Sequence, residues 1–223
     1  MFLEKTPIQA GEKRVRIKIC GITRVADALL AAELGADAVG FVFYEKSPRF
    51  ISPLASADII RQLPPLVSAV GLFVNATQQE IDATLAVCPL DVLQLHGDET
   101  AAFCAVQTRR VIKAVAIRQA ADVDAIAAYD CPVLLDAKAP SGVYGGAGKV
   151  FDWSLVANLQ HRHPLLLAGG LHAENVAAAL AVRHWHALDV SSGVESAAGI
   201  KDADKLRQLM AMMQSDEVMK KSN

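Results

Sequence analysis

Two residues in this chain combine reactive chemistry with an apolar setting. Cys20 closes the run Arg16-Ile17-Lys18-Ile19-Cys20, with an ammonium two residues before the thiol. Side chains of an extended run alternate, so Lys18 and Cys20 share one face while Ile17 and Ile19 take the other. A neighbouring cation favours thiolate, which acts as base or nucleophile. On that reading Cys20 titrates below the roughly 8.5 of free cysteine; the plain alternative is a small buried hydrophobe. Asp136 ends the apolar run Pro132–Leu135, where a carboxyl group is costly to bury without a partner. It is either a capping or ion-paired structural group, or a general acid or base facing Cys20. Two groups that titrate differently on separate elements are what a proton-shuttling isomerisation requires.

Other residues have ligand-binding chemistry. Arg49 lies in the polar stretch Tyr44–Arg49, and its guanidinium fork suits a carboxylate, unless it is a solvated loop charge. In Gln94-Leu95-His96, alternation puts Gln94 and His96 on one face. His96 then donates to a substrate or serves as a hydrogen-bonded structural residue. The glycine turns Gly169-Gly170 and Ser191-Ser192-Gly193 let backbone N–H groups approach an anion, and a short helix after the second would add its dipole. Each motif is weak alone. The glycine-rich segment Ser141–Lys149, with Gly145, Gly146 and Gly148, reads as a lid over a ligand or as a plain flexible connection.

The elements that must position these groups alternate along the whole chain. Strand-like runs fall at Val15–Cys20, Ala38–Tyr44, Ser68–Val74, Asp91–Leu95, Val111–Val115, Pro132–Asp136, Pro164–Ala168 and Ala187–Val190. Helix-like segments fall at Val25–Leu34, Pro53–Gln62, Gln78–Val87, Thr100–Gln107, Ala120–Ala128, Trp153–Leu159, Ala173–Val182 and Asp202–Met213. Strict alternation implies a parallel sheet, and eight units predict a single-domain (β/α)8 TIM barrel of the α/β class rather than an open doubly wound sheet. Residues 1–14 are expected to be an N-terminal extension, 15–213 the catalytic barrel and 214–223 a tail. Active sites of such barrels form at the C-terminal strand ends, with phosphate commonly bound by the loops after strands seven and eight. Cys20 and Asp136 end strands, and Arg49, His96 and both glycine turns follow them.

Composition narrows the partners. Of 223 residues, 52% are hydrophobic and 21% charged, too apolar for a disordered chain. Twenty-two Lys and Arg against 24 Asp and Glu give no general pull toward nucleic acid. The longest strongly apolar stretch, Leu66–Val74, is half the roughly 18 residues of a membrane span. The N-terminus lacks a signal-peptide core, so a cytoplasmic location is expected, with no nucleic-acid or membrane partner. Cys20, Cys88, Cys104 and Cys131 form no CxxC pair, which argues against a disulfide scaffold or zinc ribbon. The pairs His161/His163 and His184/His186 precede strands and lack an acidic third ligand, so no metal site is expected. Neither a P-loop nor a dinucleotide fingerprint is present, and no cofactor is indicated. The helices show no surplus apolar stripe, which favours a monomer over a homodimer.

Taken together, the motifs KICGIT (18–23), GFVFYEKSPRFIS (40–52), VGLFVN (70–75), LQLHGDE (93–99), LLDAK (134–138), YGGAGKVFDW (144–153), LLAGGL (166–171) and DVSSGVES (189–196) make the chain resemble the phosphoribosylanthranilate isomerase family, from Arg16 to about Met210. The resemblance implies an enzyme of tryptophan biosynthesis. It would convert phosphoribosylanthranilate to 1-(2-carboxyphenylamino)-1-deoxyribulose 5-phosphate by an Amadori rearrangement, without a cofactor. It further implies Cys20 as general base, Asp136 as general acid, Arg49 as the holder of the substrate carboxylate, and Gly169, Gly170, Ser191, Ser192 and Gly193 as the phosphate site. His96 and Asp189 match mouth positions with supporting roles, and Lys18 and Gln94, placed inward by alternation, are expected to support them too. The alternatives are another sugar-phosphate barrel enzyme, such as the histidine-pathway aminoaldose isomerase or indole-glycerol phosphate synthase, or a non-catalytic barrel that binds a phosphorylated ligand.

Overall fold

A computed structural model of the chain describes residues 14–137 and 151–214. Eight parallel strands close a barrel in chain order: β1 (Arg16–Ile19), β2 (Ala38–Val42), β3 (Ser68–Phe73), β4 (Val92–Leu95), β5 (Arg110–Ile117), β6 (Val133–Ala137), β7 (Leu165–Leu167) and β8 (Ala187–Val190). Closure comes from β1 pairing with β8, where Lys18 lies opposite Asp189. The expected (β/α)8 barrel is therefore the observed fold.

Sequence sets the helix starts. Ser52 caps α2 (Pro53–Ile60), whose first residue is proline, and Thr77 and Glu80 form a reciprocal capping box on α3 (Gln78–Val87). Helix α1 (Val25–Glu33) precedes them. Thr100 caps the short α4 (Ala101–Ala105), and α5 (Ala120–Asp124) runs into a 3₁₀ turn. Two expectations need correction. The segment expected as a sixth helix, Trp153–Leu159, forms only a 3₁₀ turn over Trp153–Val156. The turn is held by i→i+3 bonds, Ala157 N–H to the Ser154 carbonyl and Leu159 N–H to that of Val156, and Arg183 Nη1 donates to the carbonyls of Val156 and Leu159 at 3.0 and 2.6 Å. After α6 (Val176–Val182) and β8, the expected short helix is a three-residue 3₁₀ turn, Ser192–Val194, followed by a hairpin of β9 (Glu195–Ala197) and β10 (Ile200–Lys201). Helix α7 (Ala203–Gln214) then packs against the barrel with Leu206, Leu209, Met210 and Met213 buried.

The alternation inferred for β1 holds. Ile17 and Ile19 join the core between sheet and helices, with Ala28, Ala31, Phe41 and Leu206. The other face of β1 turns inward. Much of the 52% hydrophobic content lies in this layer. A smaller apolar cluster of Ala114, Leu134, Leu166, Ala168 and Ala187 fills part of the barrel interior. No helix among the described residues is long and apolar enough to cross a membrane.

Candidate active site

At the C-terminal strand ends an open cavity of about 620 Å³ is lined by Cys20, Arg49, Gln94, His96, Asp136 and Asp189, together with Gly169, Gly170, Ser191 and Ser192. With Leu72 and Val74 from the end of β3, seven of the eight strands deliver residues to one mouth, from loci up to 172 positions apart in the chain.

Lys18 is buried, and its Nζ donates to both Asp189 oxygens at 2.9 Å and to Gln94 Oε1 at 2.8 Å. Burial is the largest influence and pulls its pKa down, but the charges of Asp189 and Cys20 and their hydrogen bonds together outweigh it, and the ammonium ends above its ordinary range. The expectation of a readily formed Cys20 thiolate is reversed, first by burial and then by this pairing. Burial is the largest influence on Cys20 and pushes the thiol up; Lys18 pulls it down, and Asp189 pushes it up again. The net direction is upward: burial leads, and the Asp189 carboxylate offsets part of the pull of the cation beside the thiol. Alkylation of Cys20 by iodoacetamide, followed against pH, is expected to show a midpoint above the roughly 8.5 of free cysteine. A midpoint below about 8.5, the free-cysteine value, would contradict it.

Asp136, next to last in β6, is buried, with Oδ2 3.1 Å from His96 Nε2. His96 Nδ1 in turn lies 3.0 Å from Gln94 Nε2. A continuous chain therefore runs from Asp189 through Lys18, Gln94 and His96 to Asp136. Gln94 and His96 face inward together, as alternation required.

Arg49 reaches the mouth, but one edge of its guanidinium is already engaged. Nε donates to Glu195 at 2.9 and 3.1 Å, and Nη2 at 2.7 Å. Glu195 also accepts from Lys201 Nζ at 2.8 Å, and Lys201 donates to the carbonyls of Cys20 and Ser191 at 2.5 and 3.3 Å. Burial pushes the Glu195 carboxyl up, yet Arg49 and Lys201 outweigh it and the net shift is downward. Glu195 is thus an anionic brace that fixes Arg49, leaving the Nη1/Nη2 edge for a second carboxylate. The sequence reading passed over Glu195 and Lys201. The available signal was the acid–turn–base pattern Glu195-Ser-Ala-Ala-Gly199-Ile-Lys201, which the hairpin brings into contact.

The two glycine turns meet. Gly169 has φ +87°, and a Cβ there would lie 2.6 Å from the Ala137 nitrogen, so only glycine fits. Asn175 braces this turn by donating to the Gly170 carbonyl at 2.9 Å. Gly193 differs from its expected place: it packs under the Leu171 carbonyl, 1.9 Å from where a Cβ would sit, and is not among the residues lining the cavity. With only a 3₁₀ turn after β8, anion binding would rest on local amides without the expected helix dipole. Gly145, Gly146 and Gly148 of the expected lid lie outside the described residues.

A second buried ion pair was also missed. Lys113 Nζ donates to Glu99 at 2.8 Å and to the Gly97 carbonyl at 2.6 Å, while Glu99 accepts from the amides of Gly97 and Asn75. It fastens the turn directly after His96. His163 contacts Asp130 and His161 contacts backbone carbonyls, and among the described residues no group of three His, Cys, Asp or Glu is arranged to hold a metal.

Fold and site define a (β/α)8 barrel with a thiol and a carboxyl group facing one cavity beside paired glycine turns. Residues 17–212 match the family model described as N-(5'phosphoribosyl)anthranilate (PRA) isomerase. The N-(5'-phosphoribosyl)anthranilate isomerase of Pelobacter propionicus is 48% identical over 197 residues, covering 88% of this chain and 94% of that protein. The crystal structure of the Thermotoga maritima phosphoribosyl anthranilate isomerase superposes with a TM-score of 0.84 at 45% identity, covering 90% of this chain and 98% of that one. A solved isomerase in complex with reduced 1-(o-carboxyphenylamino)-1-deoxyribulose 5-phosphate has a TM-score of 0.80 at 41% identity, with the same coverage. A further structure, at TM-score 0.79, 40% identity and again the same coverage, is of monomers generated from the dimeric Thermotoga maritima enzyme. The chain belongs to the N-(5'-phosphoribosyl)anthranilate isomerase family.

Proposed function

We propose that this chain isomerises N-(5'-phosphoribosyl)anthranilate to 1-(2-carboxyphenylamino)-1-deoxyribulose 5-phosphate, in the cytoplasm, as a step of tryptophan biosynthesis. The observation that carries the reading is the convergence of Cys20 and Asp136 on one cavity with Arg49 and the glycine turns. The catalytic unit is residues 15–213, flanked by the extension 1–14 and the tail 214–223, and the ligand is the small molecule alone. A monomer remains the state favoured from sequence, although the Thermotoga maritima relative is described as dimeric.

The chemistry follows from the groups. Asp136 gives a proton to the furanose ring oxygen. The C1–O bond breaks as the anilino nitrogen forms an iminium, an electron sink that acidifies the C2 proton. Cys20 as thiolate removes that proton, and the resulting enolamine becomes the ketone. The resting thiol is held high, but the iminium places positive charge at the ligand beside it, which favours thiolate when the base is needed. Arg49 takes the anthranilate carboxylate on its Nη1/Nη2 edge. Gly169, Gly170, Ser191 and Ser192 surround the phosphate, and Gly193 shapes that turn from behind.

Arg49→Lys removes the fork while keeping the charge. It is expected to raise KM about tenfold, equivalent to about 1.4 kcal/mol, with a smaller change in kcat. Steady-state kinetics check this, and an unchanged KM would count against the clamp. The function itself is tested by offering freshly made N-(5'-phosphoribosyl)anthranilate and identifying the product by chromatography. Turnover of only the histidine-pathway aminoaldose would replace the reading with a related isomerase, and turnover of neither would leave a binding barrel.

A further inference from the structure

We infer that Gln94 is a positioning residue that fixes the tautomer of His96, and so confines the transferable proton of Asp136 to one carboxyl oxygen, Oδ1. This rests on Asp136 being the proton donor.

The order of donors follows from an end whose chemistry is unambiguous. An ammonium only donates, so the Gln94 atom 2.8 Å from Lys18 Nζ is its carbonyl oxygen. The amide NH2 of Gln94 then faces His96 Nδ1 at 3.0 Å, and the ring nitrogen there must accept. A neutral imidazole that accepts at Nδ1 carries its hydrogen at Nε2. Nε2–H therefore donates to Asp136 Oδ2 at 3.1 Å. Gln94 has no exposed surface, and the ammonium on its oxygen opposes any turning over of the amide. With Oδ2 occupied as an acceptor, the acid proton of Asp136 sits on Oδ1. That oxygen lies on the glycine-turn side, 2.9 Å from where a Cβ on Gly169 would stand. Lys18 and Asp189, far from the donor in sequence, thereby dictate which oxygen delivers the proton.

The readout is the two-bond proton–nitrogen spectrum of 15N-labelled full-length protein, with His96 assigned by its loss in His96→Gln. The wild type is expected to show hydrogen on Nε2. Hydrogen on Nδ1 would overturn the inference without needing any variant. In Gln94→Glu the carboxylate still accepts from Lys18 but now accepts from the imidazole too, so hydrogen should move to Nδ1. The Nε2 lone pair then competes for the Asp136 proton. kcat should fall roughly ten- to a hundredfold, part of the about 10²–10⁴ that acid–base catalysis supplies, with KM within about twofold. A variant that keeps Nε2–H and full kcat would overturn the role of Gln94. Loss of isomerisation in the wild type itself would instead overturn the reaction assignment, while the wild-type spectrum would still decide the tautomer.

Discussion

Asp136→Asn is expected to lower kcat by about 10²–10⁴-fold, the range general acid–base catalysis contributes, with KM little changed. The amide matches the carboxyl in shape, and its oxygen still accepts from His96 Nε2. It has no acidic proton for the ring oxygen, so the barrier to ring opening rises while ground-state contacts through Arg49 and the glycine turns persist. Steady-state kinetics with circular dichroism check the result. A folded variant with near wild-type kcat would remove Asp136 from the chemistry.

The largest expected effect on stability is that of Lys18→Met. Lys18 is 3% exposed and Asp189 7% exposed, and the ammonium is the cation bonded to both carboxylate oxygens. Removing it strands a buried charge, at a cost of about 3–5 kcal/mol. For a chain of this size each kcal/mol lowers Tm by roughly 2–4 °C. The double variant Lys18→Met/Asp189→Leu is expected to recover most of the loss, because no uncompensated charge remains. Urea titration of wild type, both single variants and the double variant measures the coupling. Additive losses would show that the pair is not coupled. The pH dependence has a definite sign. Lys18 is raised in the folded state, so its contribution is complete below the unfolded value near 10.4 and fades as pH rises through the folded value.

The barrel and much of its site were legible because both depend on local periodicity. Alternation within five residues turns Lys18 inward, and the same rule pairs Gln94 with His96. An acid ending an apolar strand marks Asp136. What stayed hidden depends on contacts across the barrel. The upward pKa of Cys20 comes first from burial under the folded barrel and then from Asp189, 171 residues beyond Lys18, whose charge offsets part of the nearby cation's pull. Glu195 fixes Arg49 from 146 residues away. Where a sixth helix was expected there is a 3₁₀ turn, whose last carbonyls, of Val156 and Leu159, are met by Arg183, a tertiary contact that no segment propensity contains.

The central claim is that Cys20 and Asp136 together carry out the isomerisation. Its most direct test follows the loss of anthranilate fluorescence after the purified chain is added to freshly prepared N-(5'-phosphoribosyl)anthranilate, with Cys20→Ala and Asp136→Ala run alongside. Rapid turnover by the wild type, and a loss of about 10²-fold or more in each variant, is the expected result. Full activity in both variants would contradict it.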